Sequence, residues 1–237
     1  MLAKTLLLAG GIATTLACAH LPRGENPNNS TMFPRIEAGS DAPADAATLG
    51  YSLNHFSLNV KNISRSIDWY SSVLGLRLIF NFRATDKLSI AYMAHSHGGK
   101  NGTGYQTVRE LNRQKNNLEG LLELVHYDNP KGDLVPSTVR ANTFSHYGLI
   151  VPDVPAAQAR FERLGVNILK KAGVSNDLKG PIAEAFGLGD VFERDSEEAK
   201  RIEQALLATG GLDFVIIADP DGNLIEVQSL FTPQFEF

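Results

Sequence analysis

Cysteine is almost missing from this chain of 237 residues, and its single cysteine, Cys18, lies near the amino terminus. Residues 1–22, MLAKTLLLAGGIATTLACAHLP, place one lysine before an apolar run that leads into Ala-Cys-Ala. This layout is typical of a secretory signal peptide. We expect a secreted or lumenal protein from which residues 1–19 are removed, and such a chain has no cysteine for disulfides or thiol catalysis. A lipid anchor on Cys18 is the weaker alternative, because Thr15 stands where lipoprotein signals usually carry leucine.

Long apolar runs and clusters of basic residues are also lacking. No segment reaches the roughly 20 apolar residues that a membrane-spanning helix needs. The formal net charge is -4, and the lysines and arginines are scattered along the chain. Such a distribution gives no electrostatic footprint for nucleic acid. We therefore expect neither a membrane span nor a nucleic-acid partner.

Residues 20–50 are rich in Pro, Asn, Ser, Asp and Ala and show no sustained periodicity. This composition predicts a flexible amino-terminal arm. Four short sequons would mark a glycoprotein if the host glycosylates its secreted proteins. They are headed by Asn28, Asn29, Asn62 and Asn101.

Two stretches echo each other, NHFSLNVKNI at 54–63 and SHYGLIVPDV at 145–154. Each stretch predicts a strand that begins at a histidine and is followed by an amphipathic helix. The helix ends at Gly75 in the first copy and at Gly165 in the second. The apolar helix faces comprise Ile67, Trp69, Tyr70, Val73 and Leu74 in the first copy, and Ala157, Phe161 and Leu164 in the second.

Each half then closes with a strand that carries one glutamate, Glu123 in GLLELVHY and Glu226 in GNLIEVQSL. The second strand follows DFVIIADPDG, whose Asp-Gly pair between apolar runs marks a hairpin turn. The pattern predicts an α+β fold of tandem βαβββ modules, at residues 51–130 and 143–231.

Strand geometry relates the positions of the histidines to those of the glutamates. Side chains alternate across a strand, so each module presents one histidine and one glutamate at equivalent positions. If the modules pack around a pseudo-twofold axis, His55, Glu123, His146 and Glu226 converge. Two imidazoles and two carboxylates would then form the first shell of a divalent metal. His126 points away from Glu123, and we interpret it, with His95 and His97 of a glycine-rich loop, as a non-ligand.

These residues resemble the vicinal oxygen chelate superfamily and, within it, glyoxalase I (lactoylglutathione lyase). The resemblance covers 51–231 and is carried by SLNVKNISRSIDWYSSVLGLRLI, LLELVHY, SHYGLIVPDV and DPDGNLIEV. It implies curved mixed sheets that form a metal-binding cup, with ligands at His55, Glu123, His146 and Glu226. The implied cofactor is one divalent ion: zinc, nickel, iron, cobalt or manganese.

The resemblance also implies a reaction. In glyoxalase I a hemithioacetal of a 2-oxoaldehyde and glutathione becomes a 2-hydroxyacyl thioester through an enediolate. Glu226 would be the base and Glu123 the second catalytic carboxylate, with the metal as Lewis acid. Related enzymes that have a His-His-Glu triad generally lack a glutamate at the position of Glu123, so its presence favours this chemistry.

The positions that hold glutathione in eukaryotic glyoxalases differ here. Asn59 and Asn142 replace arginines, and Tyr127 replaces an asparagine. Arginine binds a carboxylate through two hydrogen bonds and asparagine cannot. Lys171 is a candidate source of positive charge. We expect these four positions to line the substrate pocket.

Residues 180–212 form an insertion relative to the usual module. Ser196 is expected to cap a helix over 197–207 that Gly210 and Gly211 end. The insertion either covers or reshapes the pocket, or it packs peripherally without touching substrate. The sequence likewise permits a monomer or a homodimer with exchanged modules.

Three functions stay open at this point. The first is a glyoxalase I-type lyase or isomerase. The second keeps the fold and metal but acts on a small non-glutathione metabolite as an isomerase, cyclase or lyase, for example in secondary-metabolite biosynthesis. The third is a non-catalytic ligand-binding module.

Overall fold

Two four-stranded mixed sheets with flanking helices make up the part of the chain that the structure describes. This computed structural model describes residues 36, 38–128, 134–175, 179–208 and 210–231, without the side chain of residue 192. The strands are β1 His55–Asn59, β2 Arg77–Arg83, β3 Leu88–Ala94, β4 Leu121–Tyr127, β5 His146–Val151, β6 Asn167–Lys170, β7 Val215–Ala218 and β8 Leu224–Ser229. The α-helices are α1 Ile63–Leu74, α2 Val108–Gln114, α3 Val154–Arg163, α4 Gly180–Ala185, α5 Val191–Arg194 and α6 Ser196–Ala208.

Both sheets belong to one compact unit, Asp41–Pro233. The other unit, Met1–Ser40 with Gln234–Phe237, is described only at residues 36 and 38–40. The predicted signal peptide therefore lies outside the described residues. Of the predicted arm, residues 41–50 are exposed and contain one 3-10 turn, Ala46–Thr48.

The two sheets have the same topology. Their strand orders are β1-β4-β3-β2 and β5-β8-β7-β6, so β1 and β5 are edge strands. In each sheet the first strand runs parallel to the last, and the remaining pairs are antiparallel. The predicted α+β fold of tandem βαβββ modules is confirmed. Both described sheets are open, and neither closes into a barrel.

The repeated helices begin at side-chain caps, and the first ends at its predicted glycine. The Asn62 side chain accepts a hydrogen bond from the Arg65 amide at 2.9 Å, and Asp153 caps α3 in the same way. Gly75 ends α1 at φ 77°, a left-handed conformation that suits glycine. Leu164, which we expected on the buried face of α3, is 45% exposed because it follows the last helical residue.

The insertion folds into α4, α5 and α6. The predicted cap of its long helix was one residue too late, since Ser196 is already helical. The Asp195 carboxylate accepts from the Glu198 amide at 3.0 Å, and the Asp195 carbonyl accepts from the Ala199 amide. Beyond α6, the Gly211 amide bonds back to the Leu206 carbonyl at 2.7 Å.

The main hydrophobic core is shared by the two modules. It joins α1 and one face of the first sheet to α3 and one face of the second. Its fully buried members include Tyr70, Met93, Leu124, Ile217 and Val227. Burial of so many large side chains is the principal driving force for packing the modules against each other.

A buried polar network crosses this shared core. The Tyr147 hydroxyl donates to the Tyr70 hydroxyl at 2.8 Å, and Tyr70 donates to Asp219 Oδ2 at 2.7 Å. Asp219 also accepts from the Asn223 amide and side chain within the β7–β8 turn. Arg65 of α1 forms an ion pair with Asp221 in the same turn. Every buried oxygen in this chain of contacts has a partner, as buried polar groups require.

The second face of each sheet carries its own smaller core. On the first sheet, Leu111 of α2 packs with Leu121 and Ile79. On the second, Ile182 and Ala185 of α4 pack with Ile216 and Leu224, and Ile202 and Leu206 of α6 join them. Each second face is therefore partly covered by helices. Within the described ranges no helix has the length and apolar character needed to cross a membrane.

Candidate metal centre

His55 and Glu123 lie together on the second face of the first sheet. His55 pairs with Leu121 in the parallel β1–β4 ladder, and Glu123 is the next residue of β4 on the same face. The His55 Nε2 atom lies 3.9 Å from Glu123 Oε2. Both side chains are partly accessible to solvent, with exposed fractions of 36% and 18%.

His146 and Glu226 repeat this arrangement on the second sheet. His146 pairs with Leu224, and Glu226 follows two residues later on β8. Nε2 of His146 and Oε2 of Glu226 are 3.5 Å apart. The internal repeat of the sequence has thus produced two matching His–Glu pairs.

The expected convergence of all four side chains does not occur within one chain. Among the residues that the structure describes, no group of three His, Cys, Asp or Glu side chains is close enough to hold an ion. The reason is the shared core, which packs the modules through the faces opposite the two pairs. Each chain therefore presents two separate half-sites.

The surroundings of His55 fix its orientation. Its Nδ1 atom lies 3.1 Å from the Asn54 side-chain oxygen, and its Nε2 atom lies 3.4 Å from the Tyr92 hydroxyl. Burial, followed by hydrogen bonding to Glu123 and the charge of that carboxylate, raises the pKa of Tyr92 above 10.0. The phenol therefore stays protonated and keeps a hydrogen to donate.

Glu226 is also held by neighbours. Gln228, two residues along β8 on the same face, donates its side-chain amide to Glu226 Oε1, so Oε2 is the oxygen that faces His146. Burial lowers the pKa of Lys170, and the charges of Asp213 and Glu226 act against that shift. The Lys170 ammonium donates to the Phe214 carbonyl at 2.7 Å, where the insertion returns to the sheet.

The insertion touches the second half-site directly. The Phe186 ring, just after α4, stacks on His146 with ring centroids 4.9 Å apart and an interplanar angle of 24°. This contact, together with the packing of α4 on Leu224, places the beginning of the insertion beside the second half-site. The role of residues 180–212 in covering or reshaping a substrate pocket stays a prediction.

The two pairs fit a metal ion by geometry and donor type. Two ligand atoms about 2.1 Å from one tetrahedral ion are about 3.4 Å apart. The separation in the second pair is 3.5 Å and that in the first is 3.9 Å. In both pairs Nε2 is the nitrogen nearest the carboxylate, while Nδ1 meets the side-chain oxygen of the preceding residue. Each half-site thus contains one imidazole and one carboxylate, which are donor types that a tetrahedral centre uses.

Comparisons with known proteins identify the family. Residues 52–177 match the model of the Glyoxalase/Bleomycin resistance protein/Dioxygenase superfamily. Lactoylglutathione lyase of Pseudomonas aeruginosa is 33% identical over 139 residues, which cover 57% of this chain and 77% of that protein. The enzyme of the same name from Pseudomonas putida is 32% identical over 142 residues, 56% of this chain and 78% of its own. The chain belongs to this superfamily.

Glyoxalase I of Leishmania major is similar in structure, with a TM-score of 0.43 and 16% identity. The match covers 76% of this chain and 86% of that one. The family assignment rests on the family model and the two bacterial relatives. They support an enzyme of the glyoxalase type, and the resemblance found in the sequence is confirmed.

Two of the four predicted pocket positions in this superfamily member lie on the same strands as the first His–Glu pair. Asn59 and Tyr127 are exposed and follow His55 and Glu123 by four residues on β1 and β4. Asn142 is engaged in a local turn, where its side-chain oxygen accepts from the Phe144 amide at 2.8 Å. Lys171 is paired with Glu162 of α3 at 2.8 Å, and α3 lies on the face opposite Glu226. The role of all four in substrate binding stays a prediction.

Two of the histidines excluded as ligands have other partners. His126 Nδ1 lies 2.9 Å from the Val60 carbonyl, and His95 Nε2 lies 2.8 Å from the Leu74 carbonyl. A ring nitrogen that faces a carbonyl oxygen carries hydrogen, so that nitrogen is not a metal donor. The interpretation of these histidines as non-ligands stays a prediction. His97 is exposed, and its backbone amide donates to Gln106.

Sequence reasoning missed four neighbours of the half-sites: Asn54, Tyr92, Phe186 and Gln228. Asn54 directly precedes a predicted ligand, and Gln228 follows one at the two-residue period of a strand, so both could have been inferred locally. Tyr92 and Phe186 reach the sites only through strand pairing and the packing of the insertion.

Proposed function

We propose that this protein is a metal-dependent lyase or isomerase of the glyoxalase I type. The observation that carries the proposal is the repeated pair of one histidine and one glutamate, His55 with Glu123 and His146 with Glu226. The similarity to two lactoylglutathione lyases supports the same reaction class. The substrate would be a hemithioacetal of a 2-oxoaldehyde and glutathione, and the product a 2-hydroxyacyl thioester.

The side chains of both pairs would hold one divalent ion through Nε2 of each histidine and a carboxylate oxygen of each glutamate. Mixed nitrogen and oxygen donors suit zinc, nickel, iron, cobalt and manganese. When bound, such an ion supplies a Lewis acid for the enediolate. The protein's own contribution is to fix these donors and to move one proton.

Glu226 is the residue we assign to proton transfer. Gln228 holds its Oε1 atom, which leaves Oε2 directed into the candidate site. The carboxylate would take the proton from C1 of the hemithioacetal and return it to the neighbouring carbon, so no proton or electron is gained overall. Glu123, with the Tyr92 hydroxyl beside it, would be the second catalytic carboxylate.

We propose that each complete site forms between two copies of this chain. A half-site offers only one histidine and one glutamate, and both half-sites lie beside exposed edge strands. Apolar side chains stay exposed on the same faces, Tyr127 at 58% and Ile150 at 54%. In a twofold dimer, the first module of one copy can face the second module of the other, which yields two equivalent sites.

The proposal is tested by metal content and turnover of the purified mature protein. We expect one divalent ion per chain, and formation of a thioester from methylglyoxal plus glutathione followed by ultraviolet absorbance. A protein that retains no ion after reconstitution with zinc, nickel, cobalt, manganese or iron would contradict the metal site and favour a ligand-binding module. Retention of metal without turnover would contradict the glutathione-dependent reaction.

A second candidate keeps the metal site and changes the substrate to a small non-glutathione metabolite. Phe186 on His146 favours it, because the insertion places an aromatic wall at the site. Asn59 and Asn142 also cannot replace the arginine anchors for a carboxylate. Turnover of other 2-oxoaldehyde adducts or oxygenated metabolites by the metal-loaded protein, in the absence of glutathione turnover, would identify this function.

We also propose export of the protein, on the signal-peptide pattern of residues 1–19. Amino-terminal sequencing of the protein purified from its native host tests this. A mature protein that begins at His20 is expected, and retention of Met1 would contradict it. Mass spectrometry of the same sample would show whether the sequons carry glycans.

A further inference from the structure

The Asn54 side chain is fixed by the segment that follows α2. Its Nδ2 atom donates to the Lys115 carbonyl at 2.8 Å and to the Leu118 carbonyl at 2.7 Å. Its backbone carbonyl accepts from the Leu121 amide at the start of β4. Both amide hydrogens of the side chain are therefore used, and the atom left to face His55 is the oxygen.

This orientation decides which nitrogen of His55 carries hydrogen. The Asn54 oxygen lies 3.1 Å from Nδ1 and can only accept, so Nδ1 must be the donor. A neutral imidazole with hydrogen on Nδ1 has its lone pair on Nε2. The Tyr92 hydroxyl, 3.4 Å from Nε2, also forms a hydrogen bond with Glu123 and can donate or accept, so it does not select a tautomer. The contact with Asn54 at Nδ1 is therefore the one that selects the tautomer.

We propose that Asn54 is a positioning residue that holds His55 in the Nδ1–H tautomer, so that Nε2 faces Glu123 as a ready metal donor. The inference rests on the proposed metal-binding function. It also gives the segment after α2 a role, because the carbonyls of Lys115 and Leu118 hold the Asn54 side-chain amide, and that amide orients His55. Hydrogen-bond partners that fix a histidine ligand typically contribute about 10-fold to 100-fold in metal affinity.

The second half-site provides an internal contrast. His146 Nδ1 lies 2.9 Å from the Ser145 hydroxyl, which can either donate or accept. A hydroxyl does not impose a tautomer, so the two histidines differ in how strongly their environments select Nδ1–H. The effect that we assign to Asn54 should accordingly exceed the effect of Ser145.

The direct test is the tautomer of His55 in the metal-free protein, read from the nitrogen chemical shifts of the ring at a pH where it is neutral. The wild type should show Nδ1–H. Asn54→Leu should shift His55 toward Nε2–H, because it removes the acceptor. Asn54→Asp should retain Nδ1–H, because a carboxylate oxygen still accepts although both contacts to the loop carbonyls are lost.

Metal affinity is the second readout, with Co²⁺ titrated into each variant. We expect Asn54→Leu to weaken binding about 10-fold to 100-fold, and Asn54→Asp and Ser145→Ala to have smaller effects. Asn116→Ala, an exposed change in the same loop, controls for loosening of residues 115–118. An Asn54→Leu protein that keeps the wild-type tautomer and affinity would overturn the inference.

The two proposals fail in different ways. If the wild type binds no metal, the proposed function is contradicted while the tautomer measurement still tests Asn54. If the wild type binds metal and its His55 carries hydrogen on Nε2 in the metal-free state, Asn54 does not select the donor. Should Asn54→Leu fail to fold, Asn54→Ala removes the same acceptor with less bulk.

Discussion

The Nε2 atom of His146 lies 3.5 Å from Oε2 of Glu226, across two neighbouring parallel strands in which Glu226 pairs with Gly148. His55 and Glu123 have the same register offset, with Ser57 in the place of Gly148. The offset puts histidine and glutamate on one face with their polar ends side by side. Each pair forms from one sheet alone, so it does not depend on how the modules pack.

Removal of either carboxylate should abolish metal retention. Glu123→Gln and Glu226→Gln keep the side-chain shape but replace an anionic ligand with a neutral amide, so we expect affinity to fall by about 100-fold or more. Glu226→Gln should also lose turnover when saturating metal is supplied, because the amide cannot accept the C1 proton.

Metal content by elemental analysis and affinity by calorimetry check this prediction. Glu119→Gln, at an exposed position just before β4, is the matched control and should bind metal as the wild type does. Wild-type affinity in either Gln variant would remove that glutamate from the ligand set.

Mixing two inactive variants should restore activity if the site is shared between chains. His55→Ala damages the first half-site and His146→Ala the second. In a heterodimer one site combines the intact halves, so refolding an equal mixture should recover about a quarter of the wild-type sites. Activity and metal content of the mixture measure this recovery. Dimers without recovery would contradict an exchange of modules.

Loss of the Phe186 ring should loosen the second half-site without unfolding the protein. Stacking contributes about 1 kcal/mol and restricts the His146 ring. We expect Phe186→Ala to weaken metal binding several-fold and to broaden the NMR signals of the His146 ring. Lys200→Ala, an exposed change on α6, controls for general effects on the insertion. Unchanged affinity and ring signals would show that the contact does not position His146.

The Tyr92 phenol should ionise at higher pH than an exposed tyrosine. Burial and then Glu123 raise its pKa above 10.0, so replacing that carboxylate should lower the pKa toward 10.0 without removing the effect of burial. A titration of tyrosinate absorbance, taken as wild type minus Tyr92→Phe, isolates this group. When both proteins also carry Glu123→Gln, the midpoint of this difference titration should move to lower pH. A coincident curve would show that Glu123 does not influence Tyr92.

The tyrosines of the inter-module network should make the fold sensitive to alkali. Burial is the largest cause that raises the pKa of both Tyr70 and Tyr147 well above 10.0, and the charge of Asp219 contributes to both shifts. A tyrosine whose pKa is higher in the folded than in the unfolded state stabilises the fold in its neutral form. That contribution is complete below about pH 10 and is lost as the pH rises toward the folded pKa.

Urea unfolding at two pH values measures this effect. At pH 8 we expect Tyr70→Phe and Tyr147→Phe each to lower the free energy of unfolding by about 1 kcal/mol, because a buried hydrogen bond is lost. At pH 11 the difference from the wild type should shrink, since phenylalanine does not titrate. Tyr51→Phe, at a position that is 80% exposed, should match the wild type at both pH values. A constant difference would contradict the linkage.

Much of the fold was predictable because its signals are local. Asn62, Gly75 and Asp153 bound the repeated helices through contacts within a few residues. The Asp-Gly turn before β8 likewise has Gly222 at φ 95°. The error at Ser196 was also local, since two neighbouring residues can both cap a helix and the sequence pattern does not choose between them.

The candidate site was only partly predictable. The sequence by itself determined the two His–Glu pairs, because strand alternation and a repeated register place those side chains together within each sheet. Tertiary structure alone decided that the pairs stay apart in one chain and that Phe186 reaches His146. These outcomes depend on which faces bury the most apolar surface, and that choice involves residues such as Tyr70 and Asp219 that are far apart in the sequence.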